Sequence, residues 1–163
     1  LFHDIDPVWH NAIRNGNTPN TRYSPRYFTL NGLSARPPGA PGAMDPDIDS
    51  MADPLSALHG HVGDRTLVRI LNPGLCQQYV HTHGNHMEWL TDHGNKLKDI
   101  WKKDAIYLEA NGQIDVIYPF EAPPDAWPPV TTGVYPMHLH TEMSQTAGGG
   151  LYMFGALTDI YFE

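Results

Sequence analysis

The stretch QQYVHTHGNHMEWL, residues 77–90, contains two short runs with the composition of β-strands. Gly84 and Asn85 are turn residues, and they separate a run at 78–83 from a run at 86–90. In the first run, His81 and His83 are two positions apart. Because successive side chains of a strand point to opposite faces, both imidazoles point to the same face. The stretch therefore predicts a strand, a turn and a second strand, with a pair of histidines on one surface.

Strand composition recurs on both sides of this stretch. Further strands are predicted at 27–31, 66–71, 105–109, 113–118, 133–140 and 154–162. Asn111 and Gly112 lie between two of these runs and are a strong hairpin signal, whereas residues 96–103 are compatible with a helical turn. Seven or more short strands separated by turn residues predict an all-β fold, a Greek-key β-sandwich or barrel.

The length and composition indicate a single domain. The chain has 163 residues, and a hydrophobic content of 40% fills one core but not two. Residues 1–26 show no periodicity, and residues 33–57 are dense in Pro, Gly, Ala and Asp. Both segments are predicted to be irregular loops of this one domain.

Charge and hydropathy exclude several classes of partner. The net charge is −8 and no Lys/Arg cluster occurs, so neither nucleic acid nor an anionic membrane surface is an expected partner. The apolar stretches are too short for a membrane span. The one cysteine, Cys76, cannot form an internal disulfide and so does not indicate a compartment. The chain starts at Leu1 without a basic and apolar leader, and we expect that a signal was removed or that a longer chain was cut.

A second histidine pair, His138 and His140, falls within the predicted strand at 133–140. Two such strands side by side would bring four imidazoles together. Neutral imidazoles bind copper, zinc, nickel or iron, and copper is favoured because neither motif includes a carboxylate or thiolate. One pair alone is usually an incidental pair of surface histidines. Two pairs, each in a strand beside glycine-rich turns, predict a metal site.

Four segments resemble the multicopper oxidases, in the same order along the chain. They are YFTLNG at 27–32, GDRTLVRILNPG at 63–74, QQYVHTHGNHMEWL at 77–90 and GVYPMHLHTEMSQTAGGGLYMFGALTDI at 133–160. The resemblance implies a cupredoxin-like fold, copper as the cofactor, and His81, His83, His138 and His140 as metal ligands. With this resemblance we also expect an extracytoplasmic location, periplasmic or secreted, after removal of a signal peptide.

The type 1 blue-copper site of that family needs ligands that this chain lacks. Gln78, Leu139 and Ser144 stand where the family has His, Cys and His. Met143 and Met153 cannot replace a thiolate. The resemblance therefore implies a domain without type 1 copper that contributes half of a type 2/type 3 copper cluster. The other half would come from a second copy in a homo-oligomer, from a partner cupredoxin domain, or from the rest of a longer polypeptide.

Other histidines and one carboxylate receive weaker assignments. His59 and His61 form a third His-x-His pair, which we expect to be a solvated loop rather than an accessory metal site. His86 and His93 are expected to be surface residues, with a role beside the metal ligands as the alternative. Glu142 follows the second pair closely, and it is either a proton shuttle or an exposed charge.

Two functions remain open at this stage. The first is an oxidoreductase role within a multicopper oxidase assembly, which would use dioxygen and an electron donor and would not act as an isolated monomer. The second is copper binding without turnover, as a storage, delivery or structural assembly module. Loss of the type 1 ligands favours the second function, and retention of both histidine pairs favours the first. A cupin ranks a distant third because His138 and His140 do not match the single histidine of the second cupin motif.

Overall fold

The computed structural model describes residues 1–34, 56–123, 126–145 and 155–163. The strands in these residues are β1 (Phe2–Ile5), β2 (Tyr27–Leu30), β3 (Leu58–Gly60), β4 (Arg65–Asn72), β5 (Gln78–Thr82), β6 (Met87–Asp92), β7 (Asn95–Lys103), β8 (Ala105–Leu108), β9 (Gly112–Pro119), β10 (Gly133–Leu139) and β11 (Leu157–Phe162). The helices are α1 (Pro7–Arg14) and α2 (Glu142–Gln145). Neither helix is long and apolar enough to cross a membrane.

Two sheets pack against each other to form a sandwich. One has five strands in the order β3-β11-β10-β5-β8, and the other has four in the order β4-β9-β6-β7. A separate two-stranded sheet pairs β1 with β2. Strands that follow one another in the chain, such as β4 and β5 or β8 and β9, lie in different sheets, as they do in Greek-key sandwiches. The predicted all-β fold class is confirmed.

Alternation along the strands decides which side chains enter the core. In β5 the buried positions are Gln78, Val80 and Thr82, whereas His81 between them is only half-buried. On the neighbouring strand β10, Leu139 belongs to the apolar core and His138 lies directly opposite His81. Side chains two residues apart share a face. The histidines of both strands therefore lie on the outer face of the five-stranded sheet, away from the core.

The prediction of an irregular loop at residues 1–26 was wrong for the first half of that segment. Helix α1 begins after Asp6, whose carboxylate accepts hydrogen bonds from the main-chain N–H of Val8 at 2.8 Å and of Trp9 at 3.3 Å. Pro7 occupies the first turn, where its missing N–H costs nothing. This cap and the pairing of β1 with β2 give the segment a regular structure. Most of the other predicted loop, 33–57, lies outside the described residues.

The predicted hairpin around Asn111 and Gly112 was also wrong. Strand β8 pairs with β5 in the five-stranded sheet, whereas β9 pairs with β4 and β6 in the other sheet. The turn therefore carries the chain from one sheet to the other.

The suggested helical turn at residues 96–103 was wrong as well, because these residues form strand β7. His93 and Gly94, with φ of 49° and 77°, close a tight turn between β6 and β7.

A buried carboxylate attaches the N-terminal segment to the sandwich. Asp4 is 1% exposed and accepts hydrogen bonds from the hydroxyl of Tyr23 and from the main-chain N–H of Leu75 and Cys76, the last two at 3.3 and 3.2 Å. A side chain at Gly74 would collide with this carboxylate. Burial, with Asp4 nearby, raises the pKa of the Cys76 thiol to about 11. The cysteine is therefore held as a thiol in a structural contact.

Candidate metal centre

Two neighbouring antiparallel strands bring the histidine pairs together. His81 on β5 lies opposite His138 on β10. His83 and His140 follow the ends of these strands, and main-chain bonds extend the ladder to both: the N–H of His83 donates to Pro136 at 3.0 Å and that of His140 donates to Tyr79 at 2.7 Å. The two pairs are therefore held at fixed positions across a sheet.

The four imidazole rings form one cluster. The ring of His81 has its centroid 4.6 Å from that of His83, 5.3 Å from that of His138 and 5.0 Å from that of His140. Ligand nitrogens of His81, His83 and His138 all lie within 4.8 Å of one another. Across the described ranges, this is the one group of three or more His, Cys, Asp or Glu residues with the spacing of a metal site.

The closest pair already has the separation of two ligands on one ion. Nε2 of His83 is 3.3 Å from Nε2 of His138. Two nitrogens bound to one tetrahedral metal at about 2.0–2.1 Å are about 3.3 Å apart. The imidazole donor set also suits copper and zinc. The residues present therefore fit a transition-metal ion.

Main-chain carbonyls determine which ring nitrogens face the cluster. Nδ1 of His81 lies 2.9 Å from the carbonyl oxygen of Asp104, and Nδ1 of His138 lies 3.0 Å from that of Leu139. A carbonyl oxygen can only accept, so each Nδ1 carries the proton and donates it. The lone pair of each ring is then on Nε2, which is the form that binds a metal.

Burial keeps His138 neutral. The residue is 2% exposed, and burial lowers its pKa from 6.5 to about 4, with a smaller contribution from the neighbouring imidazoles. The hydrogen bond to Leu139 acts in the opposite direction but is weaker than burial. At neutral pH this imidazole is uncharged, as a metal ligand must be.

A hydroxyl from the core holds the loop that carries His83. Tyr118 donates its hydroxyl hydrogen to the carbonyl of His83 at 2.9 Å and accepts the main-chain N–H of Asn85 at 3.1 Å. Between them, Gly84 has a φ of 79°, and a Cβ there would lie 3.1 Å from both the Tyr118 hydroxyl and the Tyr135 ring. The loop therefore requires glycine at this position.

A cleft of about 330 Å³ opens beside the cluster. It is lined by His81, Thr82, His83, Gly84, Asn85, His86 and Asp104. His86 is exposed here, in agreement with its predicted place on the surface. Asp104 and Tyr118 were missed by sequence reasoning, because nothing near either residue in the sequence signals proximity to a histidine pair.

The remaining predicted residues lie at the edge of the cluster or elsewhere. His140 is exposed and lies outside the group of three close nitrogens. Glu142 is exposed in the first turn of α2, and its predicted role in proton transfer stays a prediction. His59 and His61 are exposed, and they contact Glu163 at 2.7 Å and Asp64 at 3.6 Å.

The three positions that correspond to type 1 copper ligands do not fit a blue-copper site. Gln78, Leu139 and Ser144 are all buried, and they offer an amide, a hydrocarbon and a hydroxyl instead of imidazole and thiolate. Ser144 donates its hydroxyl hydrogen to the Thr141 carbonyl at 2.8 Å. The amide of Gln78 has no hydrogen-bond partner among the described residues. Met153 lies outside the described residues.

Comparison with known proteins identifies the fold. No protein-family model and no curated protein matches the chain. Among solved structures, the multicopper oxidase mgLAC has a TM-score of 0.67 at 21% identity, covering 98% of this chain and 42% of that one. The blue copper oxidase from Nitrosomonas europaea has a TM-score of 0.68 at 20% identity, covering 98% of this chain and 42% of that one. The laccase from Botrytis aclada has a TM-score of 0.63 at 13% identity, covering 99% of this chain and 28% of that one.

The chain thus spans less than half the length of these three proteins. At these identities the similarity concerns the fold. The chain has the cupredoxin-like β-sandwich fold found in multicopper oxidases.

Proposed function

We propose that this chain is a copper-binding cupredoxin domain whose two His-x-His pairs contribute half of a type 2/type 3-like copper cluster. The observation that carries the proposal is the convergence of His81, His83 and His138, with ligand nitrogens within 4.8 Å of one another on one sheet face. His140 lies beside this group, with its ring 5.0 Å from that of His81. The oxidase folds of the structural neighbours support copper as the ion.

The protein's part in such a centre is to hold neutral imidazoles in place. Bound copper would supply one-electron redox chemistry. His138 is kept uncharged by burial, and His81 and His138 present Nε2 because their Nδ1 atoms donate to carbonyls. Tyr118 fixes the loop of His83. The ligands are therefore ordered before a metal arrives, which reduces the entropy cost of binding.

The position of the cluster supports completion by another domain. On the outer face of the five-stranded sheet His140 is exposed and His81 and His83 are half-buried, whereas His138 is buried. No other His, Cys, Asp or Glu in the described ranges joins the close group. Additional ligands would then come from a second copy of this chain or from a partner cupredoxin domain. We include an extracytoplasmic location in this proposal.

Oxidase activity would need dioxygen as the electron acceptor and an electron donor. The electrons would reach the cluster through the partner. Gln78, Leu139 and Ser144 offer no ligand set for a type 1 copper in this domain. The same residues favour a second candidate, copper binding without turnover in a storage, delivery or structural module. The two functions differ in whether the copper-loaded assembly consumes oxygen in the presence of a reductant.

The site is tested by copper reconstitution of the purified protein, removal of loose metal, and elemental analysis with electron paramagnetic resonance (EPR) and solution mass. We expect bound copper without a blue thiolate band, and loss of most of it in His81→Ala and His138→Ala. His61→Ala is the matched control, since this exposed histidine lies outside the cluster. Unchanged copper content in both cluster variants would show that the site is elsewhere.

A further inference from the structure

Asp104 is brought to the histidine cluster by the crossing between the two sheets. It is the single residue between β7 (Asn95–Lys103) and β8 (Ala105–Leu108). Strand β8 pairs with β5, and Ala105 lies directly opposite His81. Asp104 is therefore placed next to His81 by backbone pairing, although 23 positions separate them in the sequence.

The main-chain carbonyl of Asp104 accepts two hydrogen bonds. One comes from the N–H of Thr82 at 2.9 Å, which extends the sheet, and the other comes from Nδ1 of His81 at 2.9 Å. The first bond fixes the position of the oxygen. The second then requires the proton of the His81 ring to be on Nδ1, which leaves Nε2 as the ligand atom.

The carboxylate of Asp104 adds a negative charge on the same side. Its Oδ2 lies 3.9 Å from Nδ1 of His81, and the side chain lines the cleft together with His81 and His83. A carboxylate beside a ligating imidazole makes the imidazole a stronger donor to a cation. It also places a negative charge at the open side of the cluster, where a small anion would approach the metal.

We infer that Asp104 is a positioning residue of this metal centre: its carbonyl selects the tautomer of His81, and its carboxylate strengthens cation binding and disfavours anions in the cleft. The inference rests on the proposed copper site. It assigns a role to a residue that is not itself a ligand.

The role of the carbonyl is tested in the metal-free protein by ¹⁵N NMR of the imidazole nitrogens at pH 7.5. The signals of His81 are assigned by their loss in His81→Gln. We expect the Nδ1–H tautomer for this ring. An Nε2–H tautomer would overturn the role of the carbonyl, and this measurement gives an answer whether or not copper binds.

The role of the carboxylate is tested with Asp104→Asn, which keeps the main chain and the side-chain size. We expect the affinity for Cu(II) to fall about tenfold and the affinity of the copper-loaded protein for azide to rise, as followed by EPR and absorption. Asp99→Asn makes the same charge change at an exposed position on β7 and should change neither. Equal affinities in the two variants would overturn this role, whereas a wild-type protein that binds no copper would contradict the proposed function instead.

Discussion

The burial of His138 predicts that the metal-free protein loses stability in mild acid. Burial lowers the pKa of this imidazole from 6.5 to about 4. Between these two values the unfolded chain takes up a proton that the folded chain does not, so the free energy of unfolding falls as the pH falls. The full effect, reached below pH 4, is about 3 kcal/mol, and between pH 7.5 and 4.5 it is about 2.5 kcal/mol.

The assay is urea unfolding followed by tryptophan fluorescence, with a chelator present, at several pH values between 7.5 and 4.5. Carboxylates also titrate in this range, so the measured quantity is the difference between wild type and His138→Gln, which carries no titrating group at this position. His61→Gln is the control, because it removes an exposed histidine. We expect His138→Gln to flatten the pH dependence by about 2.5 kcal/mol and the control to leave it unchanged. The same pH dependence in His138→Gln and wild type would refute the reasoning.

Three further predictions concern residues around the site and at the N-terminus. Asp4→Ala leaves the main-chain N–H groups of Leu75 and Cys76 without their acceptor and removes one of the two acceptors of the Tyr23 hydroxyl, which keeps the Asp4 carbonyl. It should lower the free energy of unfolding by about 3 kcal/mol, and a loss below about 1 kcal/mol in urea unfolding would contradict the anchoring role. Gln78→Met removes a buried amide that has no partner among the described residues, and it should raise the free energy of unfolding by about 1 kcal/mol. It should not change the copper content, because residue 78 faces away from His81. Tyr118→Phe removes the hydroxyl that holds the His83 loop, and should lower both the stability, by about 1 kcal/mol, and the copper affinity measured by competition with a chelator; unaltered copper affinity would argue against the loop's role.

The histidine pairs could be located from the sequence because strand alternation is a local rule. Side chains two residues apart in a strand lie on the same face of the sheet, and this rule applies to His81 with His83 and to His138 with His140. A metal site that uses both pairs requires the two strands to lie side by side. The structure pairs His81 directly with His138, which brings the two faces together.

Other features depend on partners that a local pattern does not specify. Asn111 and Gly112 signal a turn correctly, but a turn signal does not state whether the flanking strands pair with each other or with different sheets. Asp104 reaches the site through that same kind of crossing between sheets. By contrast, Asp6 followed by Pro7 is a recognisable helix start signal, and this pair of residues predicts α1.

The pairing of β5 with β10 also has a consequence for how the chain matures. The three close histidines come from segments 57 positions apart, so a chain that has not yet folded keeps only His81 and His83 of the triad close together, and the complete triad exists only after β10 has paired with β5. A metal ion that binds the triad would therefore cross-link two segments that are far apart in the sequence. At a free concentration 100 times its dissociation constant, it would stabilise the native state by about 2.7 kcal/mol. Metal binding at the proposed site would thereby be coupled to the pairing of β10 with β5, and a bound ion would favour molecules in which these two strands are paired.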